Sequence, residues 1–198
     1  MEKNKKDIKF DKMATEYDEG LEGKLSKKFY GLVTENVELT ENCKVLDVGC
    51  GTGTILKRLN DKCVIDGYGI DVEENMLSEA REKCPTMNIR LCSCDDTPFE
   101  SDSFDVIVAC KAFHHFPDKI AFAKEAARIL KTGGKLYIAD PKFPLPVRKV
   151  INTALSIHKV VGKFYKFEEI AEIITPHGFE QIGYESDAYA QIVIFNRK

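Results

Sequence analysis

The sequence predicts an α/β fold: a mostly parallel, seven-stranded sheet with helices on both faces, finished by an antiparallel C-terminal hairpin. Three observations predict it. From about residue 43, short apolar runs alternate with segments of helical spacing. The runs are apolar on both faces, as in strands covered on two sides. The last two strand-like runs are separated only by Ser186-Asp187-Ala188, too short a stretch for a crossover helix.

The predicted strands are residues 43–48 (CKVLDV), 64–70 (VIDGYGI), 88–92 (NIRLC), 104–110 (FDVIVAC) and 135–139 (KLYIA), then 179–185 and 189–196. Helical spacing marks 55–59, 73–83 and 118–130. In the last, Ile120, Ala123, Ala127 and Leu130 recur on one face, and Thr132-Gly133-Gly134 is expected to stop the helix. Residues 1–40 carry two further helical patterns, 8–17 and 21–37. Residues 141–166 begin with Pro141, Pro144 and Pro146 and continue apolar and basic. Both outer segments are expected over the carboxyl ends of the strands, as an N-terminal helical lid and an inserted cap, within one domain spanning 1–198.

Composition limits what such a domain does. In 198 residues, 29 Lys and Arg face 32 Asp and Glu, a net charge of −3 that creates no field to gather a polyanion. The early lysines (Lys3, Lys5, Lys6, Lys9, Lys12) are interleaved with Asp7 and Asp11 and read as a solvated face, so no nucleic-acid partner is expected. The 7 cysteines are scattered. The close pair Cys92-x-Cys94 lacks a second pair at zinc spacing, so no metal is expected, and a reducing cytoplasm fits free thiols. No signal-peptide pattern and no membrane-spanning run is visible.

The strongest local signal is Val45-Leu46-Asp47-Val48-Gly49-Cys50-Gly51-Thr52-Gly53, a strand entering a glycine-rich turn with a helix after it. Glycines serve where the backbone turns sharply and a ligand approaches without Cβ atoms in the way. A dinucleotide fingerprint needs G-x-G-x-x-G. Counted from Gly49 its third glycine falls on Thr54, and from Gly51 on Leu56, so it fails in both registers. Asp47 would repel a pyrophosphate and suits a cationic ligand instead. Asp71, 18 residues after Gly53, ends the second strand, where a carboxylate can take both hydroxyls of a ribose.

VLDVGCGTG resembles motif I of the class I S-adenosylmethionine (SAM)-dependent methyltransferases, in the small-molecule branch that includes the ubiquinone and menaquinone biosynthesis enzymes. Five further stretches are similar in the same order: Phe10-Asp11 through Tyr17-Asp18, Tyr68-Gly69-Ile70-Asp71-Val72 with Met76-Leu77, Pro98-Phe99 into Ser103–Ile107, His114-His115-Phe116-Pro117-Asp118, and Leu130-Lys131-x-Gly133-Gly134. Phe167-Glu168-Glu169-Ile170 through His177-Gly178-Phe179 resembles the last helix. The resemblance implies a Rossmann-like sheet, SAM as cofactor with S-adenosylhomocysteine as product, and a small-molecule methyl acceptor.

It also implies site residues. Asp47 and the Gly49-Cys50-Gly51 backbone face the methionine part of SAM, Asp71 the ribose and Met76 the adenine, while Tyr17 folds over the ligand and Val72 and Cys110 belong to the cofactor-binding set. The family usually has an Asp five residues before Pro98. Here that position is Ser93, with Asp95 offering a carboxylate after a small register shift and Cys94 a backbone N–H. Methyl transfer mainly requires alignment and exclusion of water, and a base only where the acceptor must lose a proton. His114 is the candidate base, beside His115, because imidazole titrates near neutrality. Lys111 either contacts substrate or sits in solvent. Phe143, Leu145, Val147, Ile151, Leu155 and Phe164 suggest an apolar lid and a partly hydrophobic acceptor. Two other classes compete: a non-catalytic SAM-binding regulator and an NAD-linked oxidoreductase, against which the failed third glycine counts. No feature of a nucleic-acid methyltransferase, neither N/D-P-P-Y/W nor Pro-Cys at Cys110, follows strand four.

Overall fold

The computed structural model describes residues 21–158 and 162–198. Helix α1 (Leu21–Asn36) precedes β1 (Lys44–Val48), α2 (Thr54–Lys62), β2 (Asp66–Asp71), α3 (Glu74–Lys83), β3 (Asn88–Leu91) and β4 (Phe104–Cys110). A short 3-10 turn, Phe113–His115, leads to α4 (Lys119–Ile129), β5 (Leu130–Pro141), α5 (Leu145–Ile157), α6 (Phe167–Ile174), β6 (Phe179–Asp187) and β7 (Ala190–Arg197). The seven strands form one sheet in the order β3-β2-β1-β4-β5-β7-β6. Strands β1 to β5 are parallel, and β7 runs antiparallel to both β5 and β6. The expected parallel sheet with a terminal hairpin is therefore present. The order reverses between β1 and β4, which opens a crevice at their carboxyl ends.

Alternation along the strands sorts the core into two layers. Leu46, Ile107, Leu136, Ile138 and Val193 face α4 and α6, whereas Val45, Val106, Val108, Tyr137 and Ile192 face α1, α2 and α3. Each central strand thus loses apolar surface to water on both sides, at about 25 cal/mol per Å² buried. That explains why the strand runs read as continuously hydrophobic.

Two boundaries differ from the expectation. Helix α4 ends at Ile129, before the glycines, because the Asp102 and Ser103 amides donate to the Arg128 and Ile129 carbonyls (3.0 and 2.7 Å) and close its last turn. Strand β5 accordingly begins at Leu130, opposite Phe104, and Gly133 (φ 79°) shapes a turn inside it. Segment 8–17 lies outside the described residues. Helix α5 buries only Arg148 fully, paired with Glu169, and leaves Leu145, Val147, Val150 and Ile157 exposed. Both hydrogen-bonding groups of the Asn152 side chain hold the Phe164 backbone (2.9 Å each), which fixes the chain after α5 against α5 itself.

Candidate functional site

At the crevice lies a cavity of about 440 Å³, the size of a small-molecule site. Its floor is the loop after β1. Gly49 and Cys50 both donate their backbone N–H to the Ile70 carbonyl (2.8 and 3.0 Å), so the loop is pinned to the end of β2. Gly49 has φ 74°, and a Cβ there would stand 2.5 Å from the Ala112 Cβ. Only glycine lets the loop pass this close to the segment after β4. Gly51 (φ 51°) faces open space instead, which keeps the backbone accessible to a ligand.

Two carboxylates define the electrostatics. Asp71 accepts from the Gly51 N–H through Oδ2 (2.9 Å) and from the Glu73 N–H through Oδ1 (3.0 Å). These bonds lock the first loop to the end of β2 and aim the carboxyl along the cavity wall. Asp47 is 1% exposed, and its Oδ1 has no hydrogen-bond partner among the described residues. Burial first, and then the nearby Asp71 charge, push its carboxyl up to about 8. A desolvated carboxyl oxygen without a partner is costly, and a ligand cation is the group that would relieve it. Next to amides free of Cβ atoms and a ribose-ready carboxylate, this donor set fits the ammonium and nucleoside of SAM.

The structure brings together most of the residues singled out in the sequence. Asp47, Gly49, Cys50, Gly51, Asp71, Val72, Met76, Ser93, Cys94 and Cys110 all line the cavity. Asp95 is not in its wall; it accepts the Ser93 hydroxyl one step behind. Tyr17 lies outside the described residues. His114 is buried behind the wall, its Nδ1 2.8 Å from Asp140 Oδ1, and His115 reaches the cavity in its place. Lys111, in a left-handed conformation (φ 56°), also lines it and donates from Nζ to the buried Ser26 hydroxyl (2.7 Å). Of the six apolar residues expected to form a lid, none contributes to the described wall.

Sequence reading missed Tyr30, Thr52, Thr54 and Asp140. A tyrosine inside an amphipathic helix and an Asp at the end of an apolar strand carry no local signal, whereas Thr52 sits within motif I itself and Thr54 directly follows it. Burial disfavours the thiolate at the thiols that line the cavity. Burial is the leading cause that raises Cys50 and Cys110 well above the ordinary thiol value and Cys94 to about 12. All 7 cysteines are free, and no group of three or more metal-ligating side chains occurs among the described residues.

Comparison with known proteins agrees with this geometry. Residues 46–138 match the family described as Methyltransferase domain. The demethylmenaquinone methyltransferase of Staphylococcus aureus is 36% identical over 123 residues, 59% of this chain and 51% of that protein. Phosphoethanolamine N-methyltransferase 3 of Arabidopsis thaliana is 30% identical over 155 residues, 74% of this chain and 30% of its own length. The chain therefore spans about half or less of these relatives. Among solved structures, one from a complex of the Haloferax volcanii Trm112 methyltransferase activator with a methyltransferase superposes with a TM-score of 0.81 at 21% identity, covering 95% of this chain and 97% of that one. Fold and motifs together define a nucleoside-binding methyltransferase domain. Over residues 46–138, just under half of its length, the chain is similar to the class I SAM-dependent methyltransferases.

Proposed function

We propose that the chain binds SAM in this cavity and transfers its methyl group to a small-molecule acceptor. The observation that carries the reading is Asp47, a buried carboxyl with an unpartnered oxygen on the cavity floor. An NAD-type pyrophosphate would find no cation there and would keep the carboxyl from ionising, whereas a cationic amino-acid end would meet a partner. When bound, SAM supplies a methyl carbon activated by its sulfonium. Asp47 and the Gly49–Gly51 amides hold the amino-acid end, Asp71 takes the ribose, and Met76, Ser93 and Cys94 enclose the adenine. Ser93, which lines the cavity while Asp95 stands behind it, is the adenine-side polar group.

His115, which lines the cavity along with Lys111 and Phe116, is the group to receive a proton from an acceptor that must lose one. The α1 segment, of which Tyr30 lines the cavity, and the segment after β5, whose described apolar residues lie outside the described wall, belong with the sheet to one domain that takes a small-molecule acceptor. No helix among the described residues is long and apolar enough to cross a membrane. With seven free thiols this supports work in the cytoplasm, and the near-balanced charge supports a partner other than nucleic acid. Calorimetry with SAM, S-adenosylhomocysteine and NAD tests the reading. Binding of the first two and not the third is expected; NAD binding without SAM binding would overturn it. A metabolite screen scored by S-adenosylhomocysteine release identifies the acceptor.

A further inference from the structure

Behind the cavity wall lies a polar pair that cofactor binding does not use. Asp140 is in β5, and its side chain is 1% exposed. Its Oδ1 meets His114 Nδ1 at 2.8 Å, while its Oδ2 has no partner among the described residues. Burial raises the Asp140 carboxyl above its ordinary value, and His114 pulls it back. The His114 side chain is 7% exposed, and its ring is held on both faces. Phe164 stacks on one side (centroids 4.7 Å apart, 26° between planes), and His115 lies on the other (3.9 Å, 42°). The Lys163 N–H donates to the His114 carbonyl (3.0 Å), and the His115 N–H to the Ala112 carbonyl (2.9 Å), so the backbone of the turn is fixed as well.

A buried ionisable pair costs desolvation that well-packed apolar residues of similar volume would avoid. Pinning the β4 turn to β5 does not require one. This pair also has a direction. With the His114 Nδ1 proton facing Asp140, the imidazole is confined to one tautomer and one ring plane, and that plane is the surface against which His115 rests. His115 alone of the three reaches the cavity.

We propose that Asp140 and His114 are positioning residues for His115, holding its imidazole at the acceptor side of the cavity in the orientation that receives a proton during methyl transfer. The inference rests on the methyltransferase reading above. In the step it serves, the acceptor heteroatom forms a bond to the methyl carbon and the carbon–sulfur bond breaks. Its electron pair stays on sulfur, giving S-adenosylhomocysteine, and the acceptor's proton moves to His115. Asp140 touches neither ligand nor reacting atom. It acts through His114, as an orienting carboxylate does behind a catalytic imidazole.

The experiment uses the full chain with 15N-labelled histidine, saturated with S-adenosylhomocysteine, so that no acceptor has to be known. With only 4 histidines in the sequence, single substitutions assign each ring. Long-range 1H–15N spectra of wild type are expected to show His114 as the Nδ1–H tautomer. In Asp140→Asn, both the His114 and the His115 nitrogens are expected to shift, although His115 has no bond to residue 140. His114→Phe keeps an aromatic ring in the stack and removes the link to Asp140, so it reads the same coupling if the first variant does not fold. In either folded variant, His115 nitrogens superimposable on wild type would overturn the inference. Failure of wild type to bind S-adenosylhomocysteine would instead overturn the methyltransferase reading. On an acceptor that turns over, Asp140→Asn is expected to lower kcat at least ~10-fold with KM within about twofold, a fraction of what a general base supplies. Imidazole should restore part of the rate lost in His115→Ala. A folded Asp140→Asn enzyme with unchanged kcat would assign the pair to structure alone.

Discussion

Replacing Asp47 with Asn tests the cavity floor with a magnitude that follows from the structure. The Asp47 carboxyl is raised to about 8, so at pH 7 the ligand-free protein holds it mostly protonated. Asn is then nearly its isostere. A cationic ligand draws the proton off. Ionising the group at pH 7 costs about 1.4 kcal/mol, one unit of pKa, against a charge-assisted hydrogen bond of about 1.5–3 kcal/mol. The wild-type advantage over D47N at pH 7 is therefore between ~0 and ~1.6 kcal/mol, at most ~15-fold in Kd. At pH 9 the ionisation cost has vanished and the advantage is the whole bond, ~10- to ~150-fold. The ratio of the two affinities should grow about tenfold across those two units.

Calorimetry in buffers of different ionisation heat reads the same event directly. Wild type should release about 0.9 proton more than D47N per SAM bound at pH 7, because any titration of the ligand itself is common to both. The sign for stability is opposite to that of an ordinary salt-bridged Asp. A folded-state value above the unfolded one gives stability that is fully present below about pH 4 and is lost as pH rises through about 8. Ligand-free D47N should thus match wild type in Tm only below about pH 4 and exceed it increasingly up to about pH 8, with the full excess at pH 9. Equal proton release from the two proteins, or a Kd ratio flat with pH, would refute the argument.

Three further outcomes follow from the same site. Gly49→Ala sets a Cβ 2.5 Å from the Ala112 Cβ at φ 74°, so it should abolish SAM binding and lower the urea midpoint by more than 1 kcal/mol of stability; normal binding would show that the loop moves freely. Asp71→Ala removes the acceptor for the Gly51 and Glu73 amides as well as the ribose partner, and calorimetry should find SAM affinity reduced at least ~10-fold, with adenine alone less affected. Ser93→Ala should weaken SAM about 3- to ~10-fold and Asp95→Ala less, since Asp95 acts only through the Ser93 hydroxyl; the reverse order would mean that the carboxylate reaches the adenine.

The parts legible in sequence are those written in local chemistry. Gly49, Gly51 and Asp47 announce a strand, a tight turn and a cation-seeking floor within nine consecutive letters, and Asp71 follows at the end of the next apolar run. The parallel sheet and its antiparallel end were legible because two-sided strands separated by helices argue parallel pairing, and because Ser186-Asp187-Ala188 is too short for a crossover. The histidines were not so legible. His114 and His115 are adjacent letters of one type, yet the 3-10 turn sends one ring into β5 and the other into the cavity. Only the partner 26 residues away, Asp140, decides between them. The end of α4 escaped for a similar reason, since its last carbonyls are satisfied by Asp102 and Ser103 from another part of the chain rather than by Gly133.

Asp47 and Asp140 share an arrangement that ties the two halves of the site together. They lie near the carboxyl ends of β1 and β5, the strands flanking β4, and each keeps one oxygen without a partner among the described residues. Each unpartnered oxygen costs about 1–3 kcal/mol, and a third, Gln191 Oε1, lies in β7 opposite Asp140. Cys110, at the end of β4, is raised by burial and then by both carboxylates, so the two charges act across one strand. A cation bound at Asp47 would ionise that carboxyl and place a new negative charge across β4 from the Asp140–His114 pair. Sites that share a neighbour in this way are not additive. The double variant D47N/D140N should therefore lose less SAM-dependent thermal stabilisation than the sum of the single variants. Strict additivity would mean that cofactor floor and imidazole stack are independent devices that merely share a strand.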